Sequence, residues 1–223
     1  HMSEYVGEYA QRLGWLTGFG GSAGNAVVLS EEAAIFTDGR YTLQVREQVD
    51  GKHWQYVGVP ETSIAAWLQE HAPEGARIGY DPWVHTKGWV ESARKALKAK
   101  GAELVAVSRN PIDAVWDDQP SKSDAHLVVH EERYAGRSSA EKRAEVAEWL
   151  TSRNLDSTVI AALDSVAWLL NVRGADVSRT PVALSFVLAH ADGTADLFVA
   201  PEKISDEVRA HLGNAVRIRE PHE

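Results

Sequence analysis

The chain has 223 residues, 44% of them hydrophobic and 25% charged, with a net charge of −9 and a pI near 5.5. That balance suits a globular protein and argues against a nucleic-acid footprint, which needs clustered Lys and Arg. Zero cysteines exclude disulfides, thiolate zinc sites and a Cys nucleophile, and no apolar run approaches the ~20 residues of a membrane helix, so a cytoplasmic setting is expected.

Tyr9, Leu13 and Leu16 recur at helical spacing, which predicts a helical segment from near Glu4 to Thr17. Gly18–Gly24 follows as a glycine-rich turn. Ala26–Leu29 and Ala33–Thr37 read as a β-hairpin joined by Ser30-Glu31-Glu32, and Asp38-Gly39 breaks the second strand just before Arg40 and Tyr41. Beyond it come a short helix after Gln44, a strand at Trp54–Val57, and a helix at Thr62–His71 with Thr62 as its cap. Arg77–Tyr80 and Glu103–Val107 read as strands flanking a helix at Lys87–Lys100. The basic run Arg94–Lys100 alternates with Ala and Leu and reads as a solvated helix face. Pro111 starts one helical turn, and the polar run Asp117–Asp124 reads as a linker.

The pattern then restarts. Ala140–Arg153 and Ser165–Leu170 are helices around a strand at Ser157–Ala161. Asn171–Pro181 is a turn, and Val182–His190 with Ala195–Ala200 form a second hairpin. Trp-Leu before a glycine turn and a hairpin thus occurs twice, at Trp15-Leu16 and at Trp168-Leu169, which reads as a diverged internal repeat. The second copy has a helix and a strand ahead of this element; the first has nothing ahead of Tyr5, so its initial helix and strand are expected to be missing. Trp15, Trp67, Trp149 and Trp168 fall on helix faces and are expected in the core. Trp83, Trp89 and Trp116 sit near turns and are candidates to face another domain.

WLTGFGGSAGNAVVL with IFTDGRYTLQV, then IGYDPW, NPIDAVWDDQP and ALDSVAWLLNVRGADVSRTPVALSF, resembles the amino-terminal part of the long, three-domain Xaa-Pro aminopeptidases (aminopeptidase P), of the creatinase/prolidase type. The resemblance covers nearly the whole chain in the family's order. It implies an α/β fold of two similar domains, each a mixed β-sheet flanked by helices: residues 1–116, a linker at 117–124, and residues 125–223. It also implies that catalysis, the hydrolysis of the first peptide bond when proline is second, belongs to a third domain that this chain does not reach. There two divalent ions, Mn or Zn, would act; no cofactor is expected in this part, which alone is expected to be inactive. The implied partners are the protein's own carboxy-terminal catalytic domain and a peptide substrate, with a homodimer left open and neither nucleic acid nor membrane. The competing reading is a stand-alone ligand-binding or interaction module related to creatinase. The reading frame beyond Glu223 separates the two.

Three constellations imitate chemistry. Gly20-Gly21-Ser22-Ala23-Gly24 matches G-x-S-x-G, but that motif needs a strand before the serine and a helix after it, and here the order is reversed. Gly18–Ala23 imitates a dinucleotide fingerprint and fails the same context test. Asp176 in Asp176-Val177-Ser178-Arg179-Thr180 resembles a metal-binding aspartate, yet the nine His residues cluster with no Asp or Glu, and it reads as a turn. Arg40 remains. It is either a structural cation paired with Glu32 or Glu47, or a fixed fork for a peptide carbonyl or carboxylate. The resemblance adds weight to the second, because that family's first domain is thought to lend an arginine to the substrate groove.

Overall fold

The structure is a computed structural model and describes residues 4–223. It divides into two compact units: Gln11–Gln119, and Pro120–Glu223 together with the described part of His1–Ala10. The opening residues pack with the second unit. Lys122 Nζ lies 5.6 Å over the Tyr9 ring, and a Cβ on Gly7 would come within 3.0 Å of the Asp176 carbonyl oxygen. The continuous helical segment expected from Glu4 is therefore broken. Glu8–Ala10 is a single 3-10 turn, Gln11 leaves helical backbone at ψ 44°, and helix α1 spans only Arg12–Thr17.

In the first unit α1 stops at Gly18, whose φ of 79° is a left-handed cap that glycine adopts without a Cβ penalty. Strands β1 (Asn25–Val28) and β2 (Ala33–Thr37) form the expected hairpin, with Ala26 opposite Ile35. Helix α2 (Gln44–Gln48) leads to β3 (Gln55–Gly58), which runs parallel to β2 with Ile35 opposite Tyr56. Helix α3 (Ile64–His71) starts one residue later than expected because Ser63, not Thr62, caps it, its hydroxyl accepting from Ala66 N at 3.1 Å. Strand β4 (Arg77–Tyr80), helix α4 (Lys87–Lys98) and strand β5 (Glu103–Ala106) complete the unit, with β4 and β5 a separate parallel pair. The β1–β2–β3 sheet is covered on both faces. Ala34 and Phe36 join Trp67, Leu68 and Leu97 on one side, and Ile35 joins Phe19, Val45 and Val49 on the other.

In the second unit, strand β6 (Val128–Val129), helix α5 (Glu132–Ala135) and helix α6 (Ser139–Ser152) come first. A capping box starts α6: Ser138 Oγ accepts from Glu141 N, and the Glu141 carboxylate accepts from Ser138 N. Strand β7 (Ser157–Ile160), helix α7 (Leu163–Leu170) and strand β8 (Val172–Arg173) follow; β8 pairs with β6. The hairpin of β9 (Phe186–His190) and β10 (Ala195–Phe198) comes next. The pattern reading assigns nothing past Ala200, yet helix α8 (Asp206–Leu212) and strand β11 (Val216–Arg219) lie there, β11 parallel to β10. The sheet order is β11–β10–β9–β7, over a core of Val187, Leu197, Val199, Leu169 and Val208.

The tryptophans correct the sequence expectation. Trp67 is buried at 3% exposure, but Trp15, Trp149 and Trp168 are 40%, 47% and 51% exposed. Each lies against a flat or charged neighbour rather than in the core: Trp15 stacks on Trp116 at 5.5 Å, Arg153 covers Trp149, and the Lys142 ammonium sits 4.7 Å from the Trp168 ring. Helical position alone does not separate a core face from a flank of the same helix.

Candidate functional site

The Asp38–Tyr41 turn and the glycine-rich turn meet at the rim of the first unit's sheet. Asp38 caps the 3-10 turn Gly39–Tyr41, its Oδ1 accepting from Arg40 N at 3.0 Å. The same carboxylate takes the Arg40 side chain as a fork, with Nε to Oδ1 at 3.0 Å and Nη2 to Oδ2 at 2.8 Å. These hydrogen bonds, the side-chain ones first, hold the Asp38 carboxyl below its usual range. The Arg40 guanidinium is thus gripped from behind, stands 5.1 Å over the Tyr41 ring, and is still 62% exposed. The carboxylate holding it is its neighbour two residues back. Glu32, expected as a partner, is instead bonded to His71 Nδ1 at 3.0 Å and to Gln55 Nε2 at 2.9 Å.

Tyr41 ties the two turns together. Its hydroxyl shares a 2.8 Å hydrogen bond with Ser22 Oγ and accepts from Ser22 N at 3.3 Å, and its ring meets Phe19 edge-on at 5.5 Å. Gln48 Oε1 accepts from Gly20 N at 3.0 Å. At Gly21 an added Cβ would fall 2.3 Å from Phe19 Cζ and 2.9 Å from Tyr41 Cδ1, so the close approach of this turn to the buried Phe19 requires glycine. The G-x-S-x-G likeness is explained by this packing: Ser22 anchors a phenol in a turn between a helix and a strand.

Asp176 is not placed as a metal ligand. Its side chain is fully buried and paired with Lys203 Nζ at 2.6 Å, and it accepts from Leu184 N at 2.6 Å, which ties down the segment after β8; the expected turn over Asn171–Pro181 is interrupted at its start by that strand. Among the described residues no three His, Asp or Glu side chains converge as metal ligands would. Three residues that organise these places are not singled out by sequence pattern: Asp38 as the grip on Arg40, Tyr41 as the tie, and Lys203 as the cation of Asp176. The Asp-x-Arg spacing, two residues apart across a turn, was the one available signal. Lys203 lies 27 residues from its partner and left none.

Residues 8–115 and 118–223 each match the Creatinase/Prolidase N-terminal domain. The chain is 37% identical over 229 residues to the probable Xaa-Pro aminopeptidase P of Penicillium rubens, covering 100% of this chain and 36% of that protein. To the probable Xaa-Pro aminopeptidase P of Aspergillus oryzae it is 38% identical over 225 residues, covering 98% of this chain and 34% of that protein. The crystal structure of an X-prolyl aminopeptidase from Caenorhabditis elegans, described as a cytosolic enzyme with a di-nuclear active site, matches with a TM-score of 0.92 at 32% identity, over 99% of this chain and 36% of that one. The chain spans about a third of the length of the relatives it matches.

Proposed function

We propose, for a chain that belongs to the creatinase/prolidase N-terminal family over both of its halves, that it is the non-catalytic amino-terminal portion of a Xaa-Pro aminopeptidase. The parent would remove the first residue from peptides with proline second, in the cytoplasm, using a catalytic domain outside this chain. That domain would supply two divalent ions, Mn or Zn, to activate water; the residues described here form no such set. In this reading the chain shapes the wall of the substrate groove, limits substrate length, and has the catalytic domain and the peptide as its partners.

The observation that carries a substrate role is the Asp38–Arg40 fork. A guanidinium braced by a carboxylate, laid over an aromatic ring and still largely exposed, is a fixed cation rather than a swinging one. It stays charged at any working pH and presents donors suited to a peptide carbonyl or a terminal carboxylate. The test is Arg40→Ala in the full-length protein. Loss of one charge-assisted contact should lower kcat/KM about tenfold to a hundredfold. The melting temperature should barely change, because an exposed ion pair contributes little to stability. Unchanged turnover would remove Arg40 from the groove.

A further inference from the structure

A cavity of about 520 Å³ opens in the second unit, between α5, α6, α7 and β8. Its chemistry is set by two cations that, among the described residues, have no carboxylate partner. Lys142 on α6 is only 2% exposed, yet its ammonium donates to the Trp168 carbonyl at 2.9 Å and to Asn171 Oδ1 at 2.6 Å, both uncharged. Arg173 on β8 has, among the described residues, only the His130 ring as a side-chain partner, Nη2 lying 3.5 Å from Nε2. Arg137 nearby pairs with Glu145 at 2.8 Å. Among the described residues the one carboxylate lining the cavity is Asp164, exposed in the first turn of α7, where it accepts from Ser165 N. Proteins pair the charges they bury, because an isolated one costs too much. Acidic residues are not scarce here, at 32 against 23 basic ones, so two uncompensated cations facing one cavity are a property of the site. Burial, and then repulsion from Arg137 and Arg173, lower the Lys142 pKa.

We propose that this cavity binds a small organic carboxylate with a flat body. Arg173 takes the two carboxylate oxygens as a fork, His130 flanks them, and the buried Lys142 supplies a positive field behind. The half-exposed indole of Trp168 and the ring of Tyr134, stacked 6.0 Å from His130, provide the surfaces for the body. The volume suits a ligand of this size. The site lies outside the Arg40 rim and does not depend on the aminopeptidase reading.

The experiment titrates the 223-residue chain with benzoate and follows tryptophan fluorescence, with sodium chloride at matched ionic strength as control. A saturable change beyond the salt control is expected, and Trp168→Phe should remove most of it. Arg173→Gln should weaken binding about tenfold to a hundredfold, and Arg173→Lys, which keeps the charge but not the fork, should fall between. Should Arg173→Gln fail to fold, Arg173→Lys and His130→Gln carry the same test. No saturation beyond the salt control, or equal affinity in folded Arg173 variants, would overturn the proposal. Inorganic phosphate binding as tightly as benzoate would overturn the flat-carboxylate assignment.

Discussion

The two sheets share a plan and differ at one position that reveals how each is held. In both, an antiparallel hairpin passes through a helix to a strand parallel with the hairpin's second member: β1–β2–α2–β3 in one, β9–β10–α8–β11 in the other. Counting along the parallel ladders, Ile35 and Asp196 occupy the same place, the second pairing. Ile35 is fully buried against Phe19, Val45 and Val49. Asp196 is buried too, but accepts from His190 Nε2 at 2.7 Å, Arg217 Nη2 at 2.9 Å and Arg219 Nε at 3.1 Å. One sheet is therefore closed on that face by a second apolar layer. The other is closed by a carboxylate gathering three basic side chains. A single architecture accepts either solution provided the buried position is fully partnered.

Exchanging the two solutions breaks the comparison most sharply. Ile35→Asp would bury a carboxylate among Phe19, Val45 and Val49 with no cation to receive it. A loss of more than about 4 kcal/mol is expected, read as a collapse of the denaturant midpoint. A folded Ile35→Asp protein of near-parent stability would show that the apolar layer is dispensable.

Asp196→Asn is the next largest test, at about 3 kcal/mol near neutral pH, the low end for a broken buried pair since both arginines are partly exposed. Burial pushes the Asp196 carboxyl up, but the hydrogen bonds from His190, Arg219 and Arg217 outweigh it and hold the pKa below the usual range. A depressed folded pKa means that this stabilisation is complete above the unfolded value of ~3.9 and disappears as pH falls through the folded value. The parent should thus lose stability below about pH 4, and Asp196→Asn should flatten that limb of the melting-temperature profile. An identical acid limb in the variant would assign acid sensitivity elsewhere, Asp113 with its Arg12 fork being the alternative carboxylate.

Gly21→Ala has a smaller expected effect and sharpens the comparison on the apolar side. The new methyl would overlap Phe19 and Tyr41, costing about 2 kcal/mol by overpacking. On the proposal that Arg40 contacts substrate, peptide turnover in the full-length protein should fall along with stability, because Tyr41 holds the rim on which Arg40 stands. Gly20→Ala, where a Cβ meets nothing nearer than 3.9 Å, is the control.

Local signals carried far in this sequence. The glycine turn, both hairpins and most helices were legible because periodicity, caps and breakers act within a few residues. Arg40 was legible as a rim residue because Asp38-Gly39 ends a strand. What escaped were arrangements made by distant residues or by the second side of a helix. Asp196 meets Arg217 and Arg219 across more than 20 positions, and nothing in the strand Val216–Arg219 announces whether its arginines face water or a carboxylate. Lys142 lies in a helix with the composition of a solvated one, yet its side chain is buried. Trp15, Trp149 and Trp168, which helical spacing directs to the core, stand beside it, because an indole is wide enough to cover a flank without entering.

The outer side of β1 has a consequence of a different kind. β9 is covered on the corresponding side by β7, whereas no strand of the described residues pairs with β1 there, and Val28 is 59% exposed. An uncovered ladder recruits extended chains irrespective of their sequence. Among the described residues β7 likewise has no strand on its outer side, and its Val159 is 69% exposed, so in concentrated solution each unit offers an apolar strand edge on which copies can pair, and Val28→Lys should suppress only the pairing through β1, read as a partial fall in light scattering.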